Sequence, residues 1–312
     1  MSAPRHAPHP FEGASGLLAR VGDTPLIRLR GVEGHVPPDV EVHAKCEWFN
    51  PGGSVKDRPA LAMVLDAERR GVLQPGATLL DASSGNTGIA YAMIAAARGY
   101  RLRLCLPRNA SEERRRLLLA YGTEIEWTSP LEGSDGAIRR ARELAEADPS
   151  LVYLDQYGND ANWRAHYATT APEIWQQTQG RVTHLITSLG TSGTFVGCAR
   201  YFRAHGAGVR VVAVQPESPF HGLEGLKHMG SAIVPSIYDA DLAETHLGAP
   251  TEASYGWVRR LAREGVLCGP SGGAAVWGAV QVAQTLDEGV LVCILPDSGT
   301  RYLSERYLWE DR

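Results

Sequence analysis

The sequence lacks the features that place a chain in a membrane, in a secretory pathway or in a disulfide-rich scaffold. No apolar run approaches the roughly 20 residues of a membrane span, and the opening MSAPRHAPHPFEG has no apolar core of a signal peptide. The 5 cysteines are widely spread, odd in number and without a CxxC pair, which is typical of reduced, buried thiols. We therefore expect a cytoplasmic protein without a membrane partner.

The sequence also has no large excess of charge of one sign. Its 312 residues carry a formal net charge of -4, with 21% charged and 44% hydrophobic residues. This balance provides no basic surface for a nucleic acid and no polar bias that would keep the chain disordered. We expect a globular protein of one large domain or two modest ones, with no nucleic-acid partner.

After VGDTPLIRL, short apolar runs alternate with longer amphipathic ones. The short runs predict strands at 40–46, 78–81, 102–106, 124–127, 151–154, 184–187, 209–214 and 290–295. The longer runs predict helices at 55–70, 86–98, 111–121, 135–147, 162–177, 193–204, 253–264 and 272–286. This alternation is typical of an α/β fold in which helices cover both faces of parallel sheets. Ligands of such folds bind beyond the carboxyl ends of the strands.

Three short apolar runs lead into loops rich in Gly, Ser and Thr that open a helix: TLLDASSGNTGIAYAMIAAA, HLITSLGTSGTFVGCARYF and GVLCGPSGGAAVWGAV. The start of a helix exposes unpaired N–H groups at its positive end, and glycine lets a ligand approach closely, so an anion is the natural guest. Further donors could come from the hydroxyl groups of Ser83, Ser84, Thr87, Thr191, Ser192 and Thr194. An ordinary turn whose Ser and Thr cap the helix explains any one loop as well, but three together favour a ligand site.

The common nucleotide, hydrolase and metal signatures are absent. There is no GxGxxG, and the lysine of GGSVKD follows valine rather than the glycine of a phosphate-binding loop. GPSGG fits the GxSxG of serine hydrolases, but that fold needs a histidine downstream of the serine and the last one here is His246. The 10 histidines form no HExxH pattern and no ligand set with cysteine, so no metal site is expected.

Lys56, in the stretch NPGGSVKDRPA, lies at the start of a predicted helix. The positive end of a helix, together with partial burial, lowers the pKa of an ammonium group and favours the neutral amine that attacks a carbonyl carbon. The alternative is a solvated KDR triplet in which Asp57 offsets two cations. Together with the glycine loops, Lys56 would give the chain three binding groups. Its amine could react with an aldehyde, one loop could bind a phosphate, and another could bind a carboxylate. Pyridoxal phosphate bound to an amino acid presents these three groups.

Five ordered motifs, NPGGSVKDR, SSGNTG, GTSGT, GPSGGA and PDSGTRYLS, resemble those of the cysteine synthase family. This family is the β-replacement branch of the fold-type II pyridoxal-phosphate enzymes, and the resemblance covers nearly the whole chain. It implies a tryptophan synthase β-like fold of two three-layer α/β domains with mostly parallel sheets. The larger domain would comprise 1–46 and 157–312, and the smaller, mobile domain 47–156 would carry the substrate-carboxylate loop. The family also implies a homodimer.

The resemblance assigns roles to particular residues. Lys56 would hold pyridoxal 5′-phosphate as an imine and later remove the α-proton of the substrate. Asn86 would contact the ring oxygen of the cofactor, and Ser271 its pyridine nitrogen. The cofactor phosphate would lie in the loop of Gly190, Thr191, Ser192, Gly193 and Thr194, although the family often has glycine where Ser192 stands. The substrate carboxylate would be bound by Ser83, Ser84, Gly85, Thr87 and Gln156.

The implied reaction is a transferase reaction of the EC 2.5.1 type in cysteine and amino-acid biosynthesis. Sulfide or a sulfide carrier would replace the β-substituent of O-acetylserine or O-phosphoserine, through aminoacrylate, to give L-cysteine. Lys227, in GLKHM, would contact a donor phosphate or be a mobile surface lysine. The alternatives are a cystathionine β-synthase, a synthase of another β-substituted alanine, and a non-catalytic protein that binds pyridoxal phosphate and acts as a partner.

Overall fold

The computed structural model describes residues 9–83 and 85–310, and strands alternate with helices along nearly all of this part. The strands are β1 (Leu26–Arg28), β2 (Asp39–Cys46), β3 (Thr78–Ala82), β4 (Arg101–Pro107), β5 (Glu124–Thr128), β6 (Leu151–Tyr153), β7 (His184–Ser188), β8 (Arg210–Pro216), β9 (Thr245–Ala249) and β10 (Glu288–Leu295). The helices are α1 (Asp57–Arg69), α2 (Asn86–Arg98), α3 (Glu112–Ala120), α4 (Gly133–Ala147), α5 (Asp160–Ala165), α6 (Ala171–Gln177), α7 (Gly193–Ala204), α8 (Thr251–Arg263), α9 (Pro270–Ala283) and α10 (Arg306–Trp309).

The strands form two sheets. The larger has six strands in the order β1-β2-β10-β7-β8-β9, and only β1 pairs antiparallel. The smaller has four parallel strands in the order β5-β4-β3-β6. The central strands β3 and β10 are buried along most of their length because helices cover both faces of each sheet. The α/β class with mostly parallel sheets, predicted from the alternation of short and long apolar runs, is therefore confirmed.

Helix α9 packs inside the larger unit, between the sheet and α8. A Cβ on Gly273 would collide with the carbonyl oxygen of Ser254 in α8, and one on Gly278 would lie 2.7 Å from the side chain of Val214 in β8. The glycines of GPSGGAAVWGAV therefore allow close packing, a role distinct from the ligand contact that the loop pattern indicated. None of the helices that the structure describes is long and apolar enough to cross a membrane.

Three elements differ from the prediction. The edge strands β1 and β9 were not predicted, since β1 is three residues long and β9 is mostly exposed, so neither has an apolar run to mark it. The single helix predicted at 162–177 consists of α5, a π-helical turn over His166–Thr170, and α6. Pro172 lies at the start of α6 and has no N–H for a helical hydrogen bond. The neighbouring Ala171 N–H bonds to the carbonyl of His166, which widens the turn.

Candidate functional site

The carboxyl ends of both sheets face two connected cavities. We call inner cavity the one lined by Lys56, Asn86, Thr187, Gly190, Thr194 and Ser271, among others. The outer cavity is lined by Lys56, Ser83, Gly85, Thr87, Gln156 and Lys227, among others. Lys56, Asn86 and Gly190 line both cavities. Motifs far apart in the sequence thus meet at one site because parallel strands end at the same edge of a sheet.

Lys56 lies one residue before α1 and reaches both cavities with a partly buried side chain. Burial lowers the pKa of its amine from 10.5 to about 8, and the negative charge of Asp297 opposes part of that shift. The amine forms no ion pair with any residue that the structure describes. Lys56 is therefore an amine whose neutral form is accessible near neutral pH, and not the solvated cation of the alternative interpretation.

The loop from Gly190 to Thr194 forms a tight cradle at the start of the 12-residue helix α7. A Cβ on Gly190 would collide with the carbonyl oxygen of Gly225, so only glycine fits there. Ser192 has φ +70, a left-handed conformation that suits glycine better than serine and costs roughly 1 kcal/mol. Its hydroxyl is buried, with no hydrogen-bond partner among the described residues.

Side chains of α5 and of the π-helical turn after it support Thr191, Gly193 and Thr194 of this cradle. A Cβ on Gly193 would collide with the amide oxygen of Asn162, whose amide nitrogen donates to Thr191 Oγ1 at 3.2 Å. The Thr194 hydroxyl lies 3.3 Å from Nε2 of His166. Thr187, at the end of β7, also has a buried hydroxyl without a partner in the described chain, and the sequence interpretation missed it. Its signal was a polar residue that ends an apolar strand, in HLITS.

The loop after β3 forms the wall of the outer cavity. Ser83 Oγ accepts hydrogen bonds from the N–H groups of Gly85 at 3.1 Å and Gly88 at 3.0 Å, and so caps α2. The Thr87 hydroxyl donates to Gln156 Oε1 at 2.7 Å. The structure therefore brings together four of the residues predicted to bind a carboxylate, while the fifth, Ser84, lies outside the described residues.

Asp81, which the sequence interpretation missed, supports this wall. Its carboxylate accepts from the N–H groups of Ala82 at 2.7 Å and Gln156 at 3.3 Å. Gln156 in turn donates from its amide to the Ala82 carbonyl. Burial raises the pKa of Asp81 to about 7. Asp81 therefore fixes the position of Gln156, and its only sequence signal was an acidic residue at the end of an apolar strand.

Asn86 and Ser271 reach the inner cavity from the first turns of α2 and α9. The amide nitrogen of Asn86 donates to Asp297 Oδ2 at 2.7 Å, and its amide oxygen accepts from Arg301. Ser271 is 4% exposed, and no described residue hydrogen-bonds to its hydroxyl. Asp297 and Arg301 belong to the motif PDSGTRYLS, and neither was predicted as a site residue.

Lys227 is buried, so it is not a mobile surface lysine. Its amine donates to Asp135 Oδ1 at 2.7 Å and lies 5.2 Å from the ring centre of Tyr157. Nearby, Arg114 of α3 forms an ion pair with Glu224. Each pair joins a helix that connects strands of the smaller sheet, α3 or α4, to the segment between β8 and β9, across the mouth of the site.

This arrangement fits an aldehyde-bearing phosphate compound. Buried hydroxyls in proteins nearly always have hydrogen-bond partners, so the orphaned hydroxyl of Thr187, which lines the inner cavity together with Lys56, indicates a polar guest there. The start of α7 favours an anion there. No group of three or more His, Cys, Asp or Glu residues that could hold a metal ion occurs in the described part of the chain.

Comparison with known proteins agrees with this chemistry. The family described as pyridoxal-phosphate dependent enzyme matches residues 17–297. The chain is 48% identical to a cysteine synthase of Aquifex aeolicus over 295 residues, which are 92% of this chain and 90% of the relative. It is 43% identical to cysteine synthase B of Escherichia coli over 300 residues, 95% of this chain and 97% of the relative.

Solved structures show the same similarity. A cysteine synthase from Entamoeba histolytica superposes with a TM-score of 0.89 at 32% identity and covers 100% of this chain and 94% of its own. An O-ureido-L-serine synthase superposes with a TM-score of 0.86 at 40% identity and covers 92% of this chain and 93% of its own. The fold type and the cofactor that the five motifs implied are thus confirmed. The chain belongs to the family of pyridoxal-phosphate-dependent enzymes.

Proposed function

We propose that this chain is a cysteine synthase, which uses pyridoxal 5′-phosphate to replace the β-substituent of an activated L-serine with sulfide and so forms L-cysteine. The observation that carries the proposal is the inner cavity, where Lys56, whose amine has a lowered pKa, shares the lining with Gly190 and Thr194 of the anion cradle and with the orphaned hydroxyl of Thr187. The cysteine synthases of Aquifex aeolicus and Escherichia coli, similar over 92% and 95% of this chain, support it.

Lys56 is the catalytic residue of this proposal. Pyridoxal phosphate, when bound, supplies the electron-withdrawing ring that lets a proton and a β-substituent leave an amino acid. The Lys56 amine would hold the aldehyde carbon of the cofactor and, when released, accept the α-proton of the substrate at Nζ. A base with a pKa of about 8 suits a proton transfer near neutral pH, because the neutral amine is present and still basic.

The other predicted residues hold the two molecules in this proposal. The cofactor phosphate is assigned to the loop of Gly190, Thr191, Ser192, Gly193 and Thr194. Asn86 would face the ring oxygen of the cofactor, and Ser271 would face its ring nitrogen. A serine hydroxyl, unlike a carboxylate, does not favour a protonated ring nitrogen, so elimination of the β-substituent is favoured over transamination. The substrate carboxylate is assigned to Ser83, Ser84, Gly85, Thr87 and Gln156.

We further propose that the β-substituent carried by the donor is uncharged, as the acetyl ester of O-acetyl-L-serine is. The outer cavity contains two cations that could meet a donor phosphate, Lys227 and Arg114, and each already lies in an ion pair. A phosphate would share either cation with Asp135 or Glu224 and be repelled by that carboxylate, whereas an acetyl ester needs neither cation. This favours O-acetylserine over O-phosphoserine.

Replacing Asp135 with Asn tests this donor choice. The change frees Lys227 while Asn keeps an acceptor for the N–H of Ile233, which now bonds to Asp135 Oδ2 at 2.9 Å. We expect the ratio of kcat/KM for O-phosphoserine to that for O-acetylserine to rise about tenfold or more, since a charged hydrogen bond contributes ~1.5–3 kcal/mol. Asp160→Asn breaks an exposed ion pair with Arg164 and should leave the ratio unchanged. A preference of the wild type for O-phosphoserine would overturn the donor assignment.

A second candidate is the synthesis of another β-substituted alanine. It is favoured by the O-ureido-L-serine synthase that is 40% identical to this chain. We would incubate the holoenzyme and O-acetylserine with sulfide, thiosulfate, homocysteine or hydroxyurea and identify the products by mass. Cysteine from sulfide should form fastest, and Lys56→Ala should form no product. Faster formation of O-ureidoserine would replace the first candidate with the second, and activity of the Lys56→Ala enzyme would refute the role of Lys56.

The organisation of the protein is also part of the proposal. We assign the larger domain to 1–46 and 157–312 and the smaller, mobile domain to 47–156. This division is supported by the four-stranded sheet, because all of its strands lie within 47–156. We propose a homodimer in the cytoplasm. Light scattering should then give twice the 33.7 kDa of the chain, and the mass of a single chain would contradict the dimer.

A further inference from the structure

The motif PDSGTRYLS contains a charged network that the assigned roles do not use. Asp297 is fully buried, and its Oδ2 accepts two hydrogen bonds, from Asn86 Nδ2 at 2.7 Å and from the Tyr302 hydroxyl at 2.7 Å. Arg301 donates to the amide oxygen of Asn86 and to the carbonyl of Gly52. The side-chain amide of Asn86 is therefore held at both ends by residues more than 200 positions away in sequence.

This network fixes the direction of the Asn86 amide on chemical grounds. A buried carboxylate with two donors on one oxygen acts as an acceptor, and a guanidinium group can only donate. If the amide were turned over, its oxygen would face the carboxylate of Asp297 and its nitrogen would face the guanidinium of Arg301, so both hydrogen bonds would be lost. The observed direction is the one that both neighbours enforce.

The enforced direction determines what Asn86 offers to the inner cavity. Its amide nitrogen carries two hydrogens, of which Asp297 takes one. The second has no acceptor among the described residues, and Asn86 lines the cavity beside Lys56. The site thus presents a donor to an acceptor oxygen of the bound molecule. With the opposite orientation the amide would present an acceptor there and would repel such an oxygen.

The surroundings of Asp297 show that the fold accommodates this carboxylate. A Cβ on Gly269 would collide with Asp297 Oδ1, so a larger residue before α9 would displace the carboxylate. Asp297 Oδ1 is buried without a partner among the described atoms, which is costly for a carboxylate. A buried charge that is incompletely paired is a poor stabiliser of the fold, and this favours a role in the site.

We propose that Asp297 is a positioning residue, which with Arg301 orients the Asn86 amide so that its N–H is directed at the bound cofactor. This inference rests on the proposed function, in which Asn86 faces the ring oxygen of pyridoxal phosphate. Asp297 acts on the cofactor contact through Asn86, so its contribution should disappear when the Asn86 amide is absent. Binding is measured at a pH above the Lys56 pKa of about 8, because there the Lys56 amine is neutral whether or not the charge of Asp297 is present.

A double-mutant cycle on cofactor affinity tests this dependence. We would titrate the apo-protein with pyridoxal phosphate and measure the dissociation constant and the absorption maximum of the bound cofactor for Asn86→Ala, Asp297→Ala and the double variant. Each single change should weaken binding about tenfold and shift the absorption maximum. The double variant should be no weaker than Asn86→Ala alone. Multiplied effects, near a hundredfold, would mean that Asp297 acts independently of Asn86 and would overturn the proposal.

Two further variants separate positioning from folding. Asp297→Asn has the same shape and keeps one acceptor oxygen, so it should fold and bind the cofactor with an intermediate affinity. Tyr302→Phe removes the other hydrogen bond to the same carboxylate oxygen and should change affinity less than threefold. Asp297 variants that bind like the wild type, when Asn86→Ala does not, would refute this inference alone. A wild-type protein that does not bind pyridoxal phosphate at Lys56 would refute the proposed function instead.

Discussion

Replacing Arg58 with Met should destabilise the protein far more than the loss of a surface charge. The Arg58 guanidinium is fully buried and pairs with Glu47 at 2.7 and 2.9 Å and with Glu173 at 2.6 and 2.7 Å. Lys45 also pairs with Glu173, at 2.6 Å. These two cations and two carboxylates balance each other beneath the start of α1, the helix that follows Lys56.

The magnitude follows from the charge that Arg58→Met leaves behind. Burial by itself would raise the pKa of Glu47, and Arg58 and Lys45 together hold it below its ordinary value. Without Arg58 this fully buried carboxylate keeps only neutral hydrogen bonds from Thr24 and Asn50. Removing one partner of a buried pair costs about 3–5 kcal/mol, and we expect a loss of that size.

Urea unfolding of the apo-protein, followed by circular dichroism, measures the loss without a contribution from cofactor binding. Arg116→Met serves as the control, because it breaks an exposed ion pair with Glu112 one helical turn away, which contributes about 0.5 kcal/mol or less. The double variant Arg58→Met with Glu47→Gln removes both charges and should recover at least about 2 kcal/mol of the loss. A cost of Arg58→Met below about 1 kcal/mol, or no recovery in the double variant, would refute the reasoning.

Three other predictions concern the site lysine and the glycines of α7 and α8. The rate at which the apo-protein captures pyridoxal phosphate should rise roughly tenfold between pH 7 and 9 and level off, since the pKa of Lys56 is about 8; an ordinary lysine would give a rise of roughly a hundredfold without levelling. Gly197→Ala should lower the unfolding temperature, because its Cβ would collide with the carbonyl oxygen of Trp163. Gly256→Ala, in the open part of α8 with nothing within 4 Å, should stabilise by about 0.5–1 kcal/mol. A gain from Gly197→Ala or a loss from Gly256→Ala would contradict the packing argument.

The sequence predicted the parts of the site that come from local βα junctions. SSGNTG and GTSGT each follow a short apolar run and open a helix, so Asn86 and Thr194 could be placed at the carboxyl edge of a sheet without a structure. Parallel pairing then requires that such junctions meet. The edge strands β1 and β9 escaped prediction because they lack a buried face, and the break between α5 and α6 escaped because the π-helical turn joins the two helices without a loop.

The supporting contacts of the site could not be predicted. Asp297 and Arg301 contact Asn86 across 211 and 215 residues, and Lys227 pairs with Asp135 across 92. Such pairs depend on how the two sheets face each other, and no local pattern encodes that. The burial of Lys227 shows the same limit, because the sequence interpretation allowed a mobile surface lysine at that position.

The amino-acid sequence by itself determined the α/β class, the glycine loops at helix starts and the lysine before α1, because turns, capping and hydrophobic period act over a few residues. Only the tertiary structure decided the pKa of Lys56, the direction of the Asn86 amide and the pairing of the cations at the mouth of the site. Desolvation and charge pairing depend on the atoms that surround a group in space, and these come from distant parts of the chain.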